Sequence, residues 1–80
     1  MLPLEIIITR FRGATDYKGD RIQAQNLATH RRIIFDYDPA LDGLANHRQA
    51  ALRLVPQGRI IFTTPNYESD GYIFAIIPPD

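Results

Sequence analysis

The chain of 80 residues contains no cysteine. Disulfides and thiolate metal sites are therefore excluded, and the composition fits a reducing cytoplasm. No apolar run approaches the roughly 18 residues needed to span a bilayer. The stretch Met1–Ile8 has no basic region before its apolar residues and carries Glu5, which argues against a signal peptide. Net charge is also missing: nine Lys and Arg balance nine Asp and Glu. A general DNA-coating protein carries a strong basic excess, and a mimic of DNA by overall acidity would carry the reverse. Neither fits. No internal repeat and no low-complexity segment is visible.

Eighty residues make one domain, 1–80. A domain this small buries only about 60 % of its unfolded surface, so a second copy of the chain is a natural further partner. The charges are unevenly spread along the sequence. Residues 1–32 hold Arg10, Arg12, Lys18, Arg21, Arg31 and Arg32 against Glu5, Asp16 and Asp20. Residues 33–80 hold Asp36, Asp38, Asp42, Glu68, Asp70 and Asp80 against Arg48, Arg53 and Arg59. Either the surface is dipolar or the two sets pair on folding.

The apolar pattern predicts five short strands and one helix. Leu4–Phe11 alternates, with Leu4, Ile6 and Ile8 on one face and Glu5, Ile7 and Thr9 on the other. Arg12–Gly19 reads as a loop. Arg21–Leu27 and Arg32–Tyr37 are the next strands, joined tightly through Ala28–His30. Pro39 stops the third strand, and Asp42 is placed to cap a helix over Gly43–Leu54. Leu44, Ala51, Leu52 and Val55 would face the core, with Asn46, Gln49 and Arg53 opposite and His47 and Arg48 at the flanks. Gly58 ends this region, with Pro56 just beyond the last turn. Arg59–Thr63 and Gly71–Ile77 are the last two strands, with Pro65–Asp70 as the loop between them. The final strand is apolar on both faces, which suits an interior position or a covered second face. The pattern thus predicts an α+β fold: an antiparallel sheet of about five strands with one helix on one face, in the order β-β-β-α-β-β. One helix cannot cover both sheet faces. Ile7, Ile34, Ile61, Ile73 and Ile77 are expected on the open one, either as an interface patch or beneath long Arg side chains.

Few residues offer chemistry. His30 and His47 are the only histidines. With Asp36 or Asp38 they could sketch a metal site or an acid–base pair. Against that reading stands a half-buried His47 that donates to a carboxylate of Asp36–Asp38, with Arg48 alongside. The loop after the first strand has glycines and basic residues but lacks the phosphate-loop pattern, and no helix follows it. Arg10, Arg12, Tyr17, Lys18, Arg21, Arg31 and Arg32 combine cations with a ring, as single-strand nucleic-acid surfaces do; the plainer reading is a solvated basic edge. Asp36, Asp38, Asp42, Glu68 and Asp70 fall at strand ends and loops. They could form an acidic rim for a basic partner, although capping and turn chemistry alone explains Asp42 and Asp70.

Three stretches resemble, in order and at similar spacing, the motifs of a group of small phage and mobile-element proteins. Arg12–Ala24 (Arg-Gly-Ala-Thr-Asp-Tyr-Lys-Gly-Asp-Arg-Ile-Gln-Ala) resembles their opening motif. Tyr37–Asp42 followed by Ala45–Ala51 resembles the middle one, and Asp70–Phe74 the closing strand. The resemblance spans nearly the whole chain. It departs at Pro56-Gln57-Gly58, where the group often has a Gly-Trp step and this chain has no tryptophan. The chain also resembles type I-C anti-CRISPR proteins. That resemblance implies a stoichiometric inhibitor in the bacterial cytoplasm, not an enzyme and without cofactor or metal. It would bind the Cas proteins of a type I surveillance complex and block target DNA. The expected contact residues are Asp36, Asp38, Tyr67, Glu68 and Asp70. The Asn46-His47 pair is expected to join the helix to the Tyr37–Asp42 loop. The alternative reading is a small nucleic-acid-binding module built on Arg10, Arg12, Tyr17, Lys18 and Arg21.

Overall fold

The computed structural model describes residues 4–79. Met1–Pro3 of the leader pattern and Asp80 of the charge count lie outside the described residues. Five strands and one helix follow in the expected order: β1 Glu5–Arg12, β2 Arg21–Asn26, β3 Arg32–Asp36, α1 Gly43–Leu54, β4 Arg59–Asn66 and β5 Gly71–Ile77. The strands form one antiparallel sheet in the spatial order β3-β2-β1-β5-β4. The doubly apolar β5 is thus interior, between β1 and β4.

Strand β4 runs three residues further than expected, through Pro65 to Asn66. Proline cannot donate to a ladder, but β4 is an edge strand and has only one neighbour to satisfy. A register shift between Ile60 and Phe62 lets this strand keep pace with β5.

The helix lies on one sheet face, and its register sets that face. Ile7, Ile22, Ala24, Phe74 and Ile76 of the sheet meet Ala50, Ala51, Leu54 and Val55. Fully burying Phe74, Ile7, Ile22 and Ile76 is worth about 1.5–3 kcal/mol each. The buried stripe of α1 is Asn46, His47, Ala50, Ala51 and Leu54. This corrects the expected wheel: Leu44 is 39 % exposed, whereas Asn46, assigned to the solvent side, is 5 % exposed. Two alanines at the centre of the stripe let the helix sit close to the sheet. Asn46 turns inward because its amide is fully used, as described below.

The helix starts as its cap predicts. The Asp42 carboxylate accepts from the Ala45 amide at 2.7 Å. At the other end the chain turns through Gln57, which takes the left-handed conformation at φ 62°. Gly58 is needed for space, not for φ: a Cβ there would lie 2.6 Å from Ile76 and 2.7 Å from Val55.

Ile7 also changes sides. It stands opposite Asn26 and Phe74, is completely buried and belongs to the helix face. The open face instead carries Ile6 and Ile8, opposite Ala75 and Ile73. Ile34 shares that face through Gln23, and Arg10, Arg12, Arg21 and Arg32 occupy its β1–β3 half. No helix of the described residues is long and apolar enough to cross a membrane.

Candidate functional site

Antiparallel pairing brings one end of every strand to the same edge of the sheet. The ends of β1, β3 and β4 and the starts of β2 and β5 meet there, together with the N-terminus of α1. The segments 13–20, 37–42 and 67–70 cluster at this end. They and the adjoining strand end carry Asp16, Asp20, Asp36, Asp38, Asp42, Glu68 and Asp70, which is all but Glu5 and Asp80 of the carboxylates in the chain. Arg12, Lys18 and Arg21 are the cations at the same end. The seven carboxylates outnumber these three cations, so this end of the fold carries an excess of negative charge. One opposed pair is set side by side by register, Arg21 and Asp36.

A cleft of about 350 Å³ opens at this end between α1 and the β4–β5 turn. Its lining includes Phe11, Tyr37, His47, Tyr67, Asp70 and Tyr72. Phe11 and Tyr37 meet edge to face with centroids 5.9 Å apart. His47 packs edge-on against Tyr72 at 5.0 Å. Tyr67 is 91 % exposed and stands at the rim.

The floor of the cleft is a polar junction between β1, β5 and α1. Thr9 is fully buried, and its hydroxyl replaces a backbone carbonyl by accepting from the Tyr72 amide at 3.1 Å. The same oxygen lies 2.6 Å from Nδ1 of His47 and 3.4 Å from the Tyr72 carbonyl. A hydroxyl has one hydrogen and two lone pairs. Either it donates to Nδ1, or it accepts from Nδ1–H and donates to the Tyr72 carbonyl. In both arrangements Nδ1 is occupied, and Nε2 has no hydrogen-bond partner among the described residues. Burial pushes the His47 pKa below its ordinary value of 6.5, and the nearby Asp70 carboxylate opposes that shift. His47 is therefore a neutral imidazole near pH 7.

The β4–β5 turn is tied to the same junction. The Phe11 amide donates to the Asp70 carbonyl at 3.1 Å, and the Ser69 hydroxyl donates to the Thr9 carbonyl at 3.0 Å. Asp70 takes the left-handed conformation at φ 55°, which Asp tolerates better than most residues. Gly71 follows because a Cβ there would meet the backbone of Thr9, 2.6 Å from its carbonyl carbon. Asn46 fastens the 37–42 loop. Its Oδ1 accepts from the Asp38 amide at 2.7 Å; its Nδ2 donates to the Asp38 and Asp42 carbonyls at 3.0 Å and to Leu41 at 3.3 Å.

Four of the five expected contact residues divide between two grooves on either side of the helix N-terminus. Tyr67 and Asp70 line the aromatic cleft. Asp36 and Asp38 line a groove with Phe35, Asn46, Gln49 and Arg53, where the Arg53 guanidinium lies 5.1 Å over the Phe35 ring. Glu68 lies in the turn and is exposed. The Asp38 carboxylate also accepts from the Ala40 amide at 2.9 Å, an ordinary turn bond. The expected link between His47 and Asp36–Asp38 is not formed. His47 bonds Thr9 instead, and of the Asn46-His47 pair only Asn46 ties the helix to the loop, because His47 faces β1. His30 is in the β2–β3 turn at the opposite end, so the two histidines share no site. Among the described residues no group of three or more His, Cys, Asp or Glu is placed to hold a metal.

Thr9, Phe11, Tyr37 and Tyr72 were not foreseen as parts of a site. Thr9, on the same strand face as Ile7 and Phe11, was the one available signal, and its partner lies 38 residues away. No family model matches the chain, and no curated protein or solved structure is significantly similar to it.

Proposed function

We propose that this protein is a stoichiometric inhibitor that binds a type I CRISPR surveillance complex in the bacterial cytoplasm and keeps target DNA off it. The resemblance to type I-C anti-CRISPR proteins supplies the target. The observation that supports the means is the acidic end: seven carboxylates gathered on the loops at one edge of a neutral protein. Effector complexes hold nucleic acid in positively charged channels. A local cluster of carboxylates on a stiff frame can occupy such a channel without an acidic protein as a whole, and charge complementarity speeds and orients the encounter. Asp36, Asp38, Tyr67, Glu68 and Asp70 are the contact residues of this reading. It requires no cofactor and no catalytic step.

A pull-down with tagged protein, a purified type I-C surveillance complex, target DNA and random DNA as separate baits tests it. Co-purification with the complex and not with either DNA is the expected result. Retention on DNA alone would replace the reading with the second one, a small nucleic-acid-binding module. A specific feature favours that alternative. Tyr17 is 95 % exposed and lines a groove with Lys18 and Arg21, close to the Arg10 and Arg12 face. Binding of that kind falls steeply with salt.

A further inference from the structure

The acidic end holds an aromatic cleft whose chemistry is more specific than its charge. We propose that the cleft between α1 and the β4–β5 turn is a receptor for a single arginine side chain of the partner protein. Three features carry this. Four aromatic residues line the cleft, Phe11, Tyr37, Tyr67 and Tyr72, and a planar guanidinium stacks on ring faces more readily than an ammonium does. One carboxylate, Asp70, is fixed at the rim by a turn bonded to the end of β1 and offers a planar pair of acceptors to a guanidinium. His47 is 5 % exposed and lines the cleft with Nδ1 occupied by Thr9. Its Nε2 makes no hydrogen bond among the described residues. In the tautomer in which Nδ1–H donates to Thr9, Nε2 is an acceptor for a guanidinium N–H.

The cleft's volume of about 350 Å³ is at the lower end of ligand sites of roughly 300–1,000 Å³, ample for one side chain. The surrounding carboxylates disfavour a phosphate or a carboxylate as occupant. The cleft thereby acts as the specific pocket within a broader electrostatic docking face. The source of the arginine rests on the docking reading above; the affinity of the cleft for a guanidinium does not.

Titration of the isotope-labelled protein with arginine amide, followed by NMR, tests the inference without any partner. Saturable shifts are expected at Gly43, Asn66, Gly71 and Tyr72, and citrulline amide, which keeps the α-amino group and the shape but has an uncharged urea in place of the guanidinium, should leave them unmoved. Asp70→Asn should weaken arginine-amide binding about fivefold or more; Asn also tolerates the left-handed backbone at that position. Tyr67→Ala, at a rim position with almost no packing, should weaken it less. Asp16→Asn, at the same end but outside the cleft, should leave it unchanged. Equal shifts with citrulline amide, or equal weakening by Asp16→Asn and Asp70→Asn, would overturn the proposal, as would shifts spread evenly over the carboxylates. Competition at the surveillance complex without arginine-amide binding would overturn the cleft and leave the docking face standing. Arginine-amide binding without competition would do the reverse.

Discussion

The two ends of the sheet are built from the same five strands and are finished differently. At the far end, β2 turns into β3 within a few residues, and one buried residue, Asn26, holds the turn. Asn26 accepts from Ala28 and Thr29 through its side chain and donates to Glu5, while the His30 amide returns to its carbonyl. At the near end three longer segments meet, and their carboxylates mostly point outward. Their backbones are held from beneath by three buried polar residues, Thr9, Asn46 and His47. The contrast teaches where sequence has been spent. One buried anchor, Asn26, suffices for a short turn, whereas three longer segments that present charges in fixed positions need several buried polar anchors reaching across elements.

The comparison breaks most severely at Gly71. An added methyl would strike the Thr9 backbone, so Gly71→Ala should cost about 3 kcal/mol or more, as overpacking without room to relax does. Urea unfolding measures this. Asn46→Ala comes next. It leaves the Asp38 amide without its partner and takes a side-chain donor from the Asp38, Leu41 and Asp42 carbonyls, of which Asp38 and Asp42 keep a backbone donor, and should cost about 2–3 kcal/mol. Hydrogen exchange should quicken at the Asp38 amide and stay unchanged in the β2–β3 turn. Equal loosening of both ends would mean that the two ends are held alike.

Thr9→Val is milder, at about 1–3 kcal/mol, because it keeps the shape and removes only the hydroxyl. His47 adds a pH dependence. Its folded pKa lies below the unfolded value of 6.5, so the unfolded chain binds the proton more readily. The contribution of this group is complete above the unfolded pKa. It declines as the pH falls through 6.5 toward the lowered folded value, and levels off beneath it. Urea midpoints between pH 5 and 7.5 should show this slope, and His47→Gln should flatten it. The smallest effect on stability belongs to the exposed carboxylates. Asp36→Asn, Asp38→Asn, Glu68→Gln and Asp70→Asn together should change stability by no more than about 0.5 kcal/mol per site, while abolishing docking.

Much of this fold is legible from local signals. Asp42, the alternation in β3 and β5, and Gly58 mark element boundaries because caps, pleats and tight approaches act within a few residues. Pro65 misleads for a definite reason: proline punctuates a turn, and only the spatial order of strands reveals that β4 is an edge where it is tolerated. The helix face was misjudged at Leu44 and Asn46 because hydrophobicity alone ranks leucine inward and asparagine outward. Asn46 is inside because the 37–42 loop supplies its partners, and that loop's path is a tertiary fact. The site followed the same division. The acidic rim was visible as residue types at loop positions. The cleft was not, since Thr9, Phe11, His47 and Tyr72 come together only through sheet register and helix placement.

On the proposed reading, the acidic end competes with DNA for a basic surface of the complex. Target-DNA binding by a purified type I-C surveillance complex, measured by gel shift against rising protein concentration, tests it most directly. The wild-type protein should abolish the shift near equimolar amounts, and the fourfold Asp36, Asp38, Glu68 and Asp70 amide variant should not. Equal inhibition by the variant, or no inhibition by the wild type, would contradict the claim.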